Sequence, residues 1–300
     1  MNGRRPRLPM PRSARSVVAV TVVLGLVLAL GAAGLVAAPA AEGLHYVAIG
    51  DSYTAGPSIP DQVGQPPGCA RSDRNYPQRV AAALGATVVD ASCSGATTAD
   101  LVEPQHVAGG TNRPQLDAVD AGTDIVTVGI GGNDIGFGEI VVACVSLTPL
   151  GRPCRERFAP PGGDEISRRI AAAAPHVGAV LAEVRRRAPA ADVYAVGYPA
   201  ILPDQYLGCW PLMPFAFADV AYLGDRQREL NAMIAAQARA NGAVYVDAYD
   251  ASVGHDACAL PGLRWVEGLV PLAPAAPLHP NEAGMQAMAE AVLAAVRAGD

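Results

Sequence analysis

The residue whose surroundings first invite chemistry is Ser52, in the stretch YVAIGDSYTAGP (46–57). An apolar run stops there at Gly50, and a hydroxyl follows between Asp51 and Tyr53. A serine hydroxyl is a weak nucleophile until a neighbouring base accepts its proton. His279, in APLHPNEAG, is of the residue type that does this. Attack on a carbonyl also creates a negative oxygen, and losing one fixed donor to it raises the barrier by about 3–4 kcal/mol. Two further stretches could supply donors: CSGATTAD, with Ser94 and Gly95, and GIGGNDIGF, with Asn133. The backbone N–H groups of Ser52 and Gly95 and the Asn133 side-chain amide make a candidate three-donor hole. Glycine at 95 lets the backbone approach an oxyanion with no side chain in the way.

These four places are far apart in sequence, so the fold must gather them. Short runs rich in Val, Ile and Tyr, at 44–50, 86–93, 124–132, 192–199 and 243–250, read as strands covered on both faces. Longer helical patterns separate them. YPQRVAAALG ends on Gly85, GDEISRRIAAAAPHVGAVLAEVRRRAP carries Pro175 as an expected kink, and FADVAYLGDRQRELNAMIAAQARANG stops at Asn241-Gly242. HPNEAGMQAMAEAVLAAVRAG closes the chain. This alternation predicts one α/β domain, a three-layer α/β/α sandwich around a five-stranded parallel sheet of flavodoxin-like type. Right-handed crossovers bring the C-terminal strand ends to one edge, the edge at which open α/β sheets bind ligands.

GDSYTAG, the glycine of CSGAT, GGND and HPNEAG stand in the order of the four blocks of the SGNH, or GDSL-motif, hydrolases. Over roughly residues 44–297 the chain resembles the secreted actinobacterial esterase, lipase and phospholipase branch of that family. The resemblance implies Ser52 as nucleophile, His279 as base, and Gly95 and Asn133 with the Ser52 N–H as oxyanion donors. It also implies disulfides in sequential order: Cys69–Cys93, Cys144–Cys154 and Cys209–Cys258. The implied substrate is a small-molecule or lipid ester, split through an acyl-enzyme. Deacetylation of an extracellular carbohydrate and an inert surface binding protein are the alternative readings.

One block departs from the family pattern. The resemblance calls for Asp three residues before the histidine, but that position is Ala276, and APAAPLHPN contains no acid. The Ala276 backbone carbonyl is the expected partner of the imidazole; Asp250 or Asp256 is the alternative. The loop CWPLMPFAFADVAYLG is the densest apolar stretch after the strands, and Trp210, Phe215 and Phe217 are its candidates for an acyl-pocket wall.

Bulk properties narrow the partners. All 22 basic residues are arginine. Five fall in the first sixteen positions, ahead of an apolar run to about Ala38 and the small residues Ala38-Pro39-Ala40. Residues 1–40 therefore read as an export signal, with an uncleaved membrane anchor as the alternative, and 41–300 as the hydrolase domain. In that domain 17 arginines face 28 acids, a net charge of −11, which argues against nucleic acid as a partner. Six cysteines in an exported chain read as three disulfides. No Cys/His cluster has zinc-ligand spacing, and no cofactor fingerprint is present, so neither metal nor cofactor is expected. The expected protein is a secreted or cell-envelope monomer, with membrane association open.

Overall fold

A computed structural model of the chain describes residues 43–204 and 207–299. The expected export segment at 1–40 lies outside the described residues. The five apolar runs form one parallel sheet: β1 (His45–Gly50), β2 (Thr87–Asp90), β3 (Ile125–Gly129), β4 (Asp192–Val196) and β5 (Val244–Val246), in the spatial order β2-β1-β3-β4-β5. β1 pairs with β2 from His45 opposite Thr87, and with β3 from Tyr46 opposite Ile125 to Gly50 opposite Gly129. Because β1 has neighbours on both sides, the chain leaves it at the point where the strand order reverses, beside the ends of β2 and β3.

The helices are α1 (Ser52–Ala55), α2 (Tyr76–Leu84), α3 (Phe137–Cys144), α4 (Pro153–Phe158), α5 (Glu165–Arg187), α6 (Phe217–Ala240) and α7 (Glu282–Gly299). Alternate strand residues enter two separate cores. Val47, Ile49, Val126, Val128 and Val193 pack with Ile170, Val177 and Leu181 of α5 and Leu230 and Ile234 of α6. Tyr46, Ala48, Tyr194 and Val246 face the other way, onto Tyr76 and Val80 of α2 and Met285, Met288 and Val292 of α7. That is the period-2 consequence of a sheet covered on both faces, and it is the expected three-layer sandwich. α5 runs unbroken through Pro175.

Polar residues set the element ends. Asn75, Asp164 and Asn281 cap α2, α5 and α7 by accepting the N–H of Gln78, Ser167 and Gly284 at 3.0–3.1 Å. β2 and β5 stop sooner than their apolar runs, because an aspartate turns the backbone at each end. Asp90 accepts the Ser92 N–H at 3.0 Å, and Asp247 accepts the Tyr249 N–H at 2.7 Å. The cysteines pair as Cys69–Cys93, Cys144–Cys154 and Cys209–Cys258. Among the described residues no helix is long and apolar enough to cross a membrane.

Candidate active site

β1 ends on Gly50 because only glycine fits there. A Cβ at 50 would be driven into Thr54 Oγ1 and the Gly129 carbonyl. The Gln115 side chain takes over from the sheet, accepting the Gly50 N–H at 2.7 Å and donating to its carbonyl at 3.0 Å. Asp51 then caps the single turn of α1 by accepting the Tyr53 N–H at 2.9 Å. Ser52 is the first residue of that turn, where backbone N–H groups have no helical partner.

The sheet edge brings all four sequence positions together. Ser52, Gly95, Asn133 and His279 line one cavity of about 540 Å3. His279 Nε2 lies 2.7 Å from Ser52 Oγ, and its Nδ1 lies 2.7 Å from the Pro277 carbonyl oxygen. A carbonyl only accepts, so Nδ1 carries the proton and Nε2 is left as the acceptor for the Ser52 hydroxyl. Burial holds the imidazole pKa below its ordinary 6.5, against a smaller upward pull from the Pro277 carbonyl. A neutral imidazole so placed can take the serine proton.

The carbonyl on Nδ1 is therefore that of Pro277, not the expected Ala276. Leu278 adopts φ 62°, which turns the chain so that the preceding carbonyl meets the ring. The Ala276 carbonyl is occupied by the His279 backbone N–H at 3.1 Å. Asp256 accepts the Cys258 N–H at 2.8 Å, Asp250 opens a short 3-10 turn, and no carboxylate contacts Nδ1 among the described residues.

The donor side is equally defined. Neither the Ser52 nor the Gly95 N–H is spent on another group among the described residues. Gly95 sits at φ 79°, a conformation that disfavours any side chain. Asn133 donates one Nδ2 hydrogen to the Ala96 carbonyl at 2.9 Å, which leaves the second. Asp134 accepts from Thr98 N at 3.1 Å and Thr98 Oγ1 at 2.5 Å, tying the loop after β3 to the loop after β2.

Three supporting contacts had no signal in the sequence. The buried Tyr198 hydroxyl donates to Asp51 Oδ2 at 2.5 Å and accepts the Gly132 N–H at 2.7 Å. Tyr53 donates to the Leu278 carbonyl at 2.5 Å, and its ring lies 4.9 Å from that of His279. Buried Glu267 accepts from Asn281 Nδ2 at 2.8 Å, while its own N–H donates to the His279 carbonyl at 3.0 Å. Tyr198 and Tyr53 reach partners far along the chain, and Glu267 pairs within the irregular β5–α7 connection, so no regular spacing could reveal the contacts.

The rest of the cavity is mostly apolar, lined by Ile135, Phe137, Ile140, Leu223, Leu230 and Leu269 among others, with Arg226 and Gln227 among its polar members. Of the three residues expected as its wall, only Phe215 lines it. Trp210 instead donates its indole N–H to the Ser146 carbonyl at 3.2 Å, and Phe217 begins α6 with its N–H on Pro149 O. The wall is built from α3 and α6, whose inner faces the loop composition did not disclose.

The profile of the GDSL-like lipase/acylhydrolase family matches residues 48–287. The chain belongs to this family. Family membership makes it an ester hydrolase of the lipase/esterase type. It is similar to "Lipase 2" of Streptomyces coelicolor, 40% identical over 94% of this chain and 97% of that protein. Among solved structures it is similar to a phospholipase A1 from Streptomyces albidoflavus, at 25% identity and a TM-score of 0.71 over 84% of this chain and 99% of that one. An extracellular lipase from Streptomyces rimosus aligns at 27% identity and a TM-score of 0.70 with the same coverage.

Proposed function

We propose that this family member is an exported hydrolase of lipid or short-chain acyl esters, working through an acyl-enzyme on Ser52. His279 is the base in a Ser-His dyad whose imidazole is oriented by the Pro277 carbonyl. Ser52 Oγ attacks the ester carbonyl while Nε2 takes its proton. The N–H groups of Ser52 and Gly95 and the free Asn133 amide hydrogen hold the oxyanion. The proton passes from Nε2 to the departing alcohol, leaving an acyl-serine. Water, deprotonated by the same nitrogen, releases the acid and restores the hydroxyl.

The observation that carries this reading is the 2.7 Å contact between a proton-accepting Nε2 and Ser52 Oγ, at the mouth of an apolar cavity. The apolar lining favours an acyl chain over the polar surface of a sugar. Export is supported by the basic, then apolar, then small-residue order of positions 1–40, together with three disulfides.

A fluorophosphonate probe tests the assignment. Covalent labelling of the folded protein that disappears in Ser52→Ala and collapses in His279→Ala is the expected result. A folded protein that takes no label is an inert binder, and labelling that survives Ser52→Ala places the nucleophile elsewhere.

A further inference from the structure

Three stretches border the cavity: 207–218 and 268–281, which give Phe215 and Leu269, Ala276, Pro277, Leu278 and His279 to its wall, and 143–151, which continues the chain from the lining residues Val141 and Val142 of α3. These lining residues are flanked by apolar side chains with no protein partner to cover them. Leu147 is 95% exposed and Val270 75%, and Leu150, Leu212 and Leu272 are also largely in solvent. Val142 lines the cavity while being 76% exposed, so this is where the cavity opens. The stretches are braced together. The Ser146 N–H donates to the Pro214 carbonyl at 2.6 Å, Trp210 donates to the Ser146 carbonyl, and the Phe217 N–H donates to the Pro149 carbonyl. Cys258 ties the second stretch, through Cys209, to the loop that precedes the third.

Charge sets these stretches apart from the rest of the molecule. Although 17% of the chain is charged, none of the 35 residues in the three stretches is. Soluble surfaces rarely leave a contiguous apolar patch without a partner. Residues 41–300 otherwise carry a net charge of −11. A bilayer rich in anionic lipid repels such a body, whereas an electroneutral one does not.

We propose that this uncharged collar is a docking surface for an electroneutral lipid interface, such as zwitterionic phospholipid or neutral glyceride, seated around the cavity mouth. Leu147, Leu150, Leu212 and Val270 enter the interface, and an acyl chain passes from it into the cavity without crossing water. The reading rests on the ester hydrolase assignment for its biological use, but the binding itself does not require a working Ser52.

Residues 43–300, a separate compact unit with its own two cores, remove the N-terminal apolar run from the measurement. Flotation of the Ser52→Ala protein with phosphatidylcholine vesicles is expected to show binding that survives raised salt and weakens as phosphatidylglycerol is added. Replacing Leu147, Leu150, Leu212 and Val270 by Ser is expected to lower partitioning roughly tenfold or more. On a Ser52 background the same changes should leave hydrolysis of soluble p-nitrophenyl butyrate within about twofold, while hydrolysis of emulsified ester falls with binding. Leu147→Ser alone, at a site too exposed to affect folding, should show the same trend in smaller measure.

Unchanged partitioning of the four-residue variant overturns the proposal. So does binding that strengthens with anionic lipid, or a collar-dependent dimer that hides the patch. Loss of butyrate hydrolysis in the unsubstituted protein with vesicle binding intact would strike the assigned reaction instead, and leave the docking surface standing.

Discussion

Tyr198, just past the end of β4, donates a hydrogen bond from its phenolic hydroxyl to Asp51, the residue before the candidate nucleophile, at 2.5 Å. The same oxygen accepts the Gly132 N–H, one residue before Asn133. One buried hydroxyl thus links the turn that carries Ser52 to the loop that carries Asn133, a candidate oxyanion donor. Tyr198→Phe leaves a buried N–H and a buried carboxyl group each short of a partner, a loss of about 1–3 kcal/mol. Steady-state kinetics should show kcat down roughly tenfold with KM little changed. An equal rise in KM with constant kcat would mean that Tyr198 serves substrate binding instead.

Asp51 itself makes stability depend on pH. Burial lifts its pKa from 3.8 to about 7, despite the opposing hydrogen bonds from Tyr198 and the Tyr53 N–H. The folded state therefore keeps this proton through a range, about pH 4 to 7, in which the unfolded chain has released it. Stability contributed by the protonated group is present below the lower value and is lost as pH rises through about 7. Thermal melts of the wild type should fall across that window relative to Asp51→Asn, whose amide does not titrate. Parallel curves for the two proteins would show that Asp51 is ionised throughout.

His279 should remain a competent base at lower pH than an ordinary imidazole. Its pKa lies below 6.5 because burial disfavours the cation and no carboxylate offsets it. Under the proposed mechanism the acid limb of kcat/KM against pH then falls below pH 6.5. Ala276→Asp, which restores the family's acid three residues earlier, should move that limb upward. A limb at or above 6.5 in the wild type would require an acid partner for Nδ1.

Acyl-chain selection should follow α3 and α6. Leu223→Phe crowds the cavity and is expected to cut kcat/KM for p-nitrophenyl laurate about tenfold while leaving the butyrate within about twofold. Trp210→Ala, off the cavity, should change the two rates alike. A selective loss of laurate hydrolysis in Trp210→Ala would return the wall to the loop before α6.

The sheet and its edge were legible in the sequence because both follow from local grammar. Apolar runs without alternation announced the strands, buried in β1 and β3 and half-exposed in the edge strand β2, and Ser52, Gly95, Asn133 and His279 each stand close to a strand end or a helix start. What stayed hidden depended on backbone direction or on long-range pairing. The exchange of Pro277 for Ala276 turns on a left-handed Leu278, a residue type that gives no warning of that conformation. The contact of Tyr198 with Asp51 reaches from beyond β4 to beyond β1, past the end of β3, and the apolar wall comes from helix faces whose inward direction only packing decides.

Because the oxygen that steadies the imidazole belongs to the main chain, no codon change at 277 can delete it outright; only a change of loop path can. Most serine hydrolases entrust that duty to a carboxylate, which a single missense mutation removes. Here the safeguard is conformational. The vulnerable spot moves to Leu278, whose left-handed dihedral sets the path that brings the Pro277 carbonyl to the ring.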